Sequence, residues 1–400
     1  METARDVLHA KVGGGENLLC LWPRHGTLRV WGREMMVAYM ESPCNYKHPQ
    51  EVARDHTGIW KRGYLRVRRS LDGGATWQDD GKAFDNSLPF ERQRHILRLE
   101  EYRGHSGPAL EPLDMSGPDA VFLPGRSWCG DEIPGKRIRA PVAYCLRSTD
   151  RGRSWSSVPS VLWPARSTFL VDFGNSVMRT EAGRWLCWVA GQNDAESESP
   201  AAGCGPQLYG STDNGATWLF LNEIWNDPAG RVICSCPHVI TLPSGPWLCF
   251  MECRFAAGDP RSPWTAVCTS RDGGLNWSAP RTIAVWSHAP FPLRLRDGRI
   301  VVIFTRCAPD PTALLYLVSE DDGEHWSAPV VLRDDGVRAG PKGRIDGAYP
   351  VAEQMDDGRV FTAYGWEHDD EDVPWHGGRS FIAGTFFSAD GSAGAAKGGN

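Results

Sequence analysis

Short apolar segments alternate with polar turns along the whole chain. Runs rich in Val, Ile, Leu and Trp are separated by Gly, Pro, Asp and Asn, and no stretch keeps the period of an amphipathic helix. Many segments form a strand, a Gly-containing turn and a second strand, as in 290–306 and 349–367. The pattern predicts an all-β protein built from repeated antiparallel strand pairs.

A second phrase, S-x-D-x-G-x-x-W, recurs after these strand pairs. Its five copies occupy residues 70–77, 148–155, 211–218, 270–277 and 319–326. Such self-similarity is the signature of a repeat protein. We interpret the phrase as a hairpin turn in which the Asp accepts main-chain hydrogen bonds and the Gly adopts a conformation closed to other residues. We expect the Trp to pack on the apolar layer of its own repeat.

The phrase resembles the Asp box of sialidases and related β-propellers, and the resemblance covers about residues 20–385. It implies an all-β, six-bladed β-propeller of four-stranded antiparallel blades with five Asp-box hairpins. The blades are predicted to begin near residues 22, 105, 172, 234, 286 and 346. We expect one domain over 1–385 and a disordered tail over 386–400. The last blade lacks a box, so the N-terminal segment DVLHAKV is expected to supply its fourth strand.

Charge and hydropathy indicate which binding partners and which cellular location to expect. The chain carries 43 basic and 49 acidic residues, a net charge of -6, which gives no reason to expect a nucleic-acid partner. No run of about 18 apolar residues predicts a membrane span. The first residues contain no apolar signal core, so we expect a cytoplasmic chain unless a leader has been removed.

The cysteines are interpreted as small buried hydrophobes rather than as disulfides or ligands. Many of the twelve lie inside apolar runs such as VAYCL and WLCWVA. One cluster contains Cys234, Cys236, Cys249 and Cys253, but no CxxC or HxxxH pair accompanies it. We therefore expect neither a metal nor a cofactor.

Polar residues accumulate where the predicted inner strands begin. The positions found by counting back from the turn Gly of each blade are Arg24, His25, Asn175, His238, His288 and Tyr349, with His105 at a comparable place in blade two. Inner strands line the central channel of a propeller, so these side chains are expected to converge on one mouth. A solvent-lined channel without a site would also accept polar residues there.

The ends of the second strands add charge to the same rim. Counted forward from the turn Gly, Glu41, Gln192, Arg254 and Glu367 lie nine residues away and Arg306 eight. Charges brought together at a mouth need one another or a charged ligand to offset desolvation. The alternative is a set of exposed strand-end charges.

The resemblance to sialidases implies roles for individual residues. That family binds a substrate carboxylate with three arginines, protonates the leaving oxygen with an Asp and attacks with a Tyr that a Glu activates. Arg24, Arg254 and Arg306 are expected to bind the carboxylate, Asp55 to act as acid/base and Tyr349 as nucleophile. The remaining substrate-binding candidates are His25, His105, His288 and Glu367.

The activating glutamate departs from the family pattern. The strand expected to carry it reads SCPHVITL, which offers Cys236 or His238 instead. Glu353 lies four residues beyond Tyr349, about 13 Å along a strand. Glu252 and Glu367 are alternatives from strand ends, and His238 or His288 can also serve as base.

The leading hypothesis is a sialidase-like exo-glycoside hydrolase that releases a terminal acidic sugar with retention. Its expected partner is an acidic carbohydrate or glycoconjugate, and its catalytic candidates are Asp55, Tyr349, Glu252 and His238. A non-catalytic propeller that binds a glycan or a protein fits the repeats equally well. A third alternative is a hydrolase or lyase of another substrate that uses His105, His238 or His288, with or without a metal.

Overall fold

The computed structural model describes residues 2–4, 6–48, 51–52, 58–102, 107–133, 139–171, 176–193, 205–256, 263–306, 312–336, 348–368 and 378–389. These residues form six separate sheets that follow one another along the chain. The predicted six-bladed β-propeller is confirmed.

Two short N-terminal strands precede the first blade. They are β1 (Glu2–Thr3) and β2 (Leu8–Gly13). Blade one comprises β3 (Leu18–Leu21), a 3₁₀ turn (Pro23–His25), β4 (Thr27–Trp31), β5 (Glu34–Pro43), β6 (Tyr64–Ser70) and β7 (Gln78–Asp85). Both β3 and β4 pair with β5, so they form one inner strand that the 3₁₀ turn interrupts.

Three short helices lie in the least repetitive part of the chain. They are α1 (Ile59–Arg62), α2 (Phe90–Ile96) and α3 (Leu99–Tyr102). Each has two turns or fewer, too short for a helical period to register in the sequence. No helix in the described ranges is long and apolar enough to span a membrane.

Blades two and three differ in completeness. Blade two comprises β8 (Val121–Ser127), β9 (Val142–Ser148) and β10 (Ser160–Leu162). The segment 107–120, where its inner strand was expected, forms no strand. This segment contains Pro108, Pro112 and Pro118, which lack the N–H that a ladder needs. Blade three comprises β11 (Phe169–Val171), β12 (Val177–Arg179), β13 (Trp185–Gln192), β14 (Pro206–Ser211) and β15 (Leu219–Glu223).

The last three blades are regular antiparallel sheets. Blade four comprises β16 (Val232–Thr241), β17 (Trp247–Phe255), β18 (Trp264–Ser270) and β19 (Arg281–Val285). Blade five comprises β20 (Ser287–Arg294), β21 (Ile300–Arg306), β22 (Ala313–Ser319) and β23 (Val330–Arg333). Blade six comprises β24 (Val351–Gln354), β25 (Val360–Glu367) and β26 (Ser380–Phe387).

The N-terminal strands close the ring. As predicted, β2 is the fourth strand of blade six, where it pairs antiparallel with β26 and sets Leu8 opposite Phe386. The shorter β1 pairs in parallel with β23 of blade five. The last strand ends at Phe387, two residues beyond the expected domain boundary at 385.

The five Asp boxes have the predicted hairpin geometry. In the first box the Thr76 N–H donates to Asp72 Oδ1 at 2.9 Å, and the Gly74 N–H donates to Ser70 Oγ at 2.8 Å. Gly74 has a φ of 88°, the left-handed region that favours glycine. The same bonds recur around Asp150, Asp213, Asp272 and Asp321.

The box tryptophans pack on their own blade, as predicted, and also against the preceding blade. Trp326, for example, packs on the blade-five cluster that contains Phe304 and Leu315. Trp218 of blade three contacts Phe122 of blade two, with ring centroids 6.1 Å apart. Trp326 of blade five contacts Phe250 of blade four at 5.8 Å. Neighbouring sheets pack face to face, so an indole placed between two sheets removes more apolar surface from water than one at a single edge.

The cysteines in the described ranges are buried, as predicted. Ten are free thiols, and all ten are buried. Cys234 and Cys253 face each other across β16 and β17, with their Sγ atoms 2.8 Å apart. Within these ranges no group of three or more His, Cys, Asp or Glu side chains is arranged to hold a metal ion.

Candidate active site

The inner strands of four blades are distorted at the same place. Trp22, Cys236, Ala289 and Tyr349 all have a left-handed backbone, with φ between 49° and 56°. The pairing register of β16 shifts between Ser235 and His238, and that of β20 shifts beside Ala289. A left-handed non-glycine residue costs about 1 kcal/mol or more, and such strain concentrates at functional sites. Four equivalent distortions therefore mark one end of the channel, which we call the mouth.

Arg24 connects the distorted strands through hydrogen bonds. Its side chain is buried, and its guanidinium donates to the carbonyl oxygens of Cys236, Pro237 and Pro290. Its main-chain N–H donates to the Tyr349 carbonyl at 3.3 Å. The residue thus connects blades one, four, five and six. Its expected role in carboxylate binding stays a prediction, and the contacts favour a structural role.

Tyr349 contacts two histidines. Its ring centroid is 4.9 Å from that of His288 and 5.3 Å from that of His25. His25 is buried and also contacts Trp22 and Trp60 edge-on. The structure therefore brings together three residues that were predicted from separate blades.

His288 links Tyr349 to a buried carboxylate. The Nδ1 atom of His288 lies 2.9 Å from Oε2 of Glu252, and the Ala289 N–H donates to the same oxygen at 3.0 Å. Burial by itself raises the pKa of Glu252, but His288, the Ala289 N–H and Arg254 outweigh burial and lower the pKa to about 2. Glu252 and His288 were separate alternatives from the sequence. The structure makes them one pair.

His238 has a different environment. Its ring contacts Trp188 at 5.3 Å and Phe291 at 4.5 Å. Burial, followed by the positive charges of Arg24 and Arg29, lowers the pKa of His238 well below its usual range. His238 is therefore a neutral imidazole packed among aromatic rings.

The charged residues at the ends of the second strands lie in two different environments. Glu41 is buried inside blade one, where it accepts from Tyr39, Tyr64 and Arg66. Arg254 and Arg306 are half-buried near the ends of β17 and β21. Arg306 pairs with Ser287, the residue before His288, and Arg254 helps to lower the pKa of Glu252. The two arginines therefore belong to the His288–Glu252 side of the mouth.

Glu367, another predicted rim residue, is the last residue of β25. It is buried and lies opposite Ser380. Asp55, His105 and Asn175 lie outside the described residues, so their predicted places and roles stay predictions.

Sequence reasoning missed Arg126 at the end of β8. Its guanidinium lies 4.2 Å from the ring centroid of Trp60, and Trp60 stacks on Trp22 at 5.1 Å. Trp22 in turn contacts Tyr349 edge-on at 6.2 Å. Arg126 follows Gly117 by nine residues, the interval that relates Arg254 to its turn Gly, so the same count applied to blade two would have found it.

The fold and the mouth define a six-bladed Asp-box propeller with a Tyr–His–Glu cluster at one end of its channel. The chain belongs to the family described as the BNR repeat-like domain, whose model matches residues 128–362, more than half of the chain. No curated protein matches the sequence.

Solved structures share this fold at low identity. A protein of unknown function from Dyadobacter fermentans is 21% identical, with a TM-score of 0.68 and coverage of 96% of this chain and 99% of that chain. The GH93 α-L-arabinofuranosidase of Fusarium graminearum, solved with arabinobiose, is 12% identical, with a TM-score of 0.59 and coverage of 95% and 97%. The NanB sialidase from Streptococcus pneumoniae is 11% identical, with a TM-score of 0.58 and coverage of 95% and 70%. The resemblance to sialidase-like propellers is thereby confirmed, and the same fold serves two kinds of glycoside hydrolase.

Proposed function

We propose that this chain is an exo-glycoside hydrolase that removes a terminal acidic sugar with retention, with Tyr349 as nucleophile. The observation that carries the proposal is the contact of Tyr349 with His288, whose Nδ1 lies 2.9 Å from the buried carboxylate of Glu252. A base oriented by a carboxylate is the arrangement that activates a weak nucleophile. His288 takes the place of the glutamate that the sequence lacks.

In the first step the Tyr349 phenol oxygen attacks the anomeric carbon while the bond to the leaving oxygen breaks. The phenol proton passes to His288, and the ionised Glu252 stabilises the imidazolium that forms. Asp55 gives its proton to the leaving oxygen. A neutral phenol suits an anomeric centre that carries a carboxylate, because an anionic nucleophile would be repelled.

In the second step a water molecule displaces Tyr349 from the anomeric carbon. Asp55 takes a proton from water, the water oxygen bonds to the anomeric carbon, and the bond to Tyr349 breaks. The phenol oxygen recovers its proton from His288. Two displacements at one carbon restore the original configuration, so the product retains the anomeric form of the substrate.

Arginines on the rim supply the binding site for the sugar carboxylate. Arg254 and Arg306 come from adjacent blades, and Arg126 is held over the Trp60 ring. The planar guanidinium matches a carboxylate in shape and charge. Arg24 is not counted among the carboxylate-binding arginines, because its guanidinium donates to main-chain carbonyls.

The test is release of a fluorescent aglycone from an α-sialoside and from other glycosides of acidic sugars. Tyr349→Phe is expected to abolish turnover, and His288→Ala to lower kcat by about a hundredfold or more. Tyr316→Phe, which removes a hydroxyl from a buried tyrosine in blade five, is the matched control and is expected to keep full activity.

Two outcomes would reject the enzymatic proposal. One is full activity in Tyr349→Phe. The other is no turnover of any acidic glycoside, combined with binding of a free acidic sugar that weakens in Arg254→Ala. That second result would identify a non-catalytic glycan-binding propeller.

A further inference from the structure

Two cysteines face each other across the first two strands of blade four. Cys234 of β16 and Cys253 of β17 are directly opposite in the antiparallel register. Both side chains are buried, and their Sγ atoms at 2.8 Å are closer than two sulfur atoms that merely touch. Directly opposed residues of an antiparallel pair have Cα atoms about 4.5 to 5.5 Å apart, a separation that a disulfide spans. The backbone therefore already holds this pair in position to form a bond.

The pair lies at the mouth end of blade four. The register of β16 shifts just after Ser235, so only a short ladder, which includes Cys234, lies beyond the interruption. Ser235 is opposite Glu252, and Cys253 stands between Glu252 and Arg254. A covalent link between the two sulfurs would therefore fix the strand end that carries both of these charged residues.

A second opposed pair in the same apolar cluster provides a comparison. Cys249 of β17 lies opposite Cys268 of β18, and both are buried. The Cys249 thiol is directed to its own strand, where it donates to the Phe250 carbonyl oxygen at 3.8 Å. Opposition across two strands is thus not sufficient, and the contact between the sulfurs of Cys234 and Cys253 distinguishes their pair.

We infer that Cys234 and Cys253 form a disulfide that fixes the mouth end of blade four. One thiolate attacks a low-molecular-weight disulfide such as oxidised glutathione, and this forms a mixed disulfide and releases one glutathione thiolate. The other thiolate attacks the protein sulfur of the mixed disulfide and releases the second glutathione. The protein loses two hydrogens, and the two protons pass to the glutathione thiolates. The inference is independent of the proposed hydrolysis.

Burial determines when this bond can form. Burial, followed by the contact with Cys253, raises the pKa of Cys234 well above its usual range. The thiolate is the form that attacks a disulfide, so the folded protein presents little of the reactive species. Exchange therefore takes place during folding, before the sulfurs are buried. Once formed, the buried bond is shielded from attack by a reducing thiol.

The direct test is the state of the cysteines after the full-length protein is unfolded and refolded with oxidised glutathione or with dithiothreitol. Free thiols are alkylated in denaturant and located by mass spectrometry, with chymotryptic cleavage after Phe250 to separate Cys253 from Cys249. We expect ten of the twelve cysteines to be alkylated after oxidative refolding, with Cys234 and Cys253 linked, and all twelve after refolding with dithiothreitol. Twelve alkylated cysteines in both samples, or a bridge that involves Cys268 instead, would overturn the assignment.

Thermal unfolding provides a second measurement with a matched control. The bond closes the loop 234–253, so the oxidised wild type is expected to have a Tm about 4 °C above that of the reduced protein. Cys253→Ala is expected to show no such difference. Cys249→Ala removes a thiol from the same strand and the same cluster, and it is expected to keep the difference. A difference in Cys253→Ala, or its loss in Cys249→Ala, would overturn the assignment.

Discussion

Two glutamates near the channel show how local contacts decide the charge of a buried carboxyl. Burial raises the pKa of both. At Glu252 the effect of His288, the Ala289 N–H and Arg254 exceeds that of burial, and the pKa falls to about 2. At Glu353 the charge of Arg29 and the bond from the Val30 N–H at 3.1 Å do not offset burial, and the pKa rises to about 7. Glu252 therefore keeps a negative charge that can stabilise a cation. Glu353 is instead protonated, and so uncharged, when the pH falls below about 7.

Glu353 is predicted to make the fold less stable as pH rises. Its pKa is raised from 4.5 to about 7 on folding, so its contribution is fully present below pH 4.5 and is lost as pH rises towards 7. Glu353→Gln cannot ionise and keeps an acceptor for the Val30 N–H. Relative to wild type, the variant should gain up to about 3 kcal/mol in free energy of unfolding between acidic and mildly alkaline pH.

Urea unfolding at a series of pH values measures this difference. Asp356→Asn, which removes an exposed carboxyl on the turn after β24, is the control for the loss of one acidic side chain. A constant difference between Glu353→Gln and wild type across the pH range would show that Glu353 keeps its ordinary pKa in the fold.

The Asp-box hairpins connect neighbouring blades through side-chain contacts. Their internal bonds are local, whereas their tryptophans contact the preceding blade. Trp218 is buried against Phe122 and donates its indole N–H to Ser160 Oγ at 3.1 Å. The stability of one blade therefore depends on the box of the next.

Trp218→Ala is predicted to lower the free energy of unfolding by about 3 kcal/mol, because it leaves a cavity between two sheets. The adjacent Leu219 is 69% exposed, and Leu219→Ala should change stability by no more than about 0.5 kcal/mol. Chemical denaturation of both variants provides the comparison. Equal losses in the two variants would mean that the box tryptophan does not join the blades.

What could be predicted from the sequence depended on how local each feature is. The boxes and the closing strand β2 follow from contiguous patterns, so they were predicted correctly. The distorted inner strands were not, because the left-handed residues Ala289 and Tyr349 bond through their main chains to other blades, Ala289 to Glu252 and Tyr349 to Arg24. The pairing of His288 with Glu252 joins two blades in the same way, and no sequence spacing encodes that distance.

The ring of six blades is closed by strand pairing at its outer edge and by side-chain hydrogen bonds near its axis. The pairing of β2 with β26 joins the two ends of the chain. Arg24 reaches across the channel from blade one to carbonyl groups of blades four and five. The residue expected to bind substrate is therefore placed where it can fix the geometry of the mouth.

Arg24→Ala is predicted to destabilise the protein by about 3 kcal/mol or more, because it leaves buried carbonyls without a donor. Arg33→Ala, at an exposed arginine on the turn between β4 and β5, is the control and should have little effect. Urea unfolding and KM are measured on the same preparations. Unchanged stability with a large increase in KM would return Arg24 to the role of carboxylate ligand.

The proposed hydrolysis depends on a covalent bond between the Tyr349 oxygen and the sugar. The most direct measurement is mass spectrometry of the protein after incubation with a fluorinated glycosyl fluoride of whichever acidic sugar it hydrolyses, followed by peptide mapping. We expect one sugar adduct on Tyr349 in the wild-type protein and none in Tyr349→Phe. An adduct on another residue, or turnover in Tyr349→Phe, would contradict this expectation.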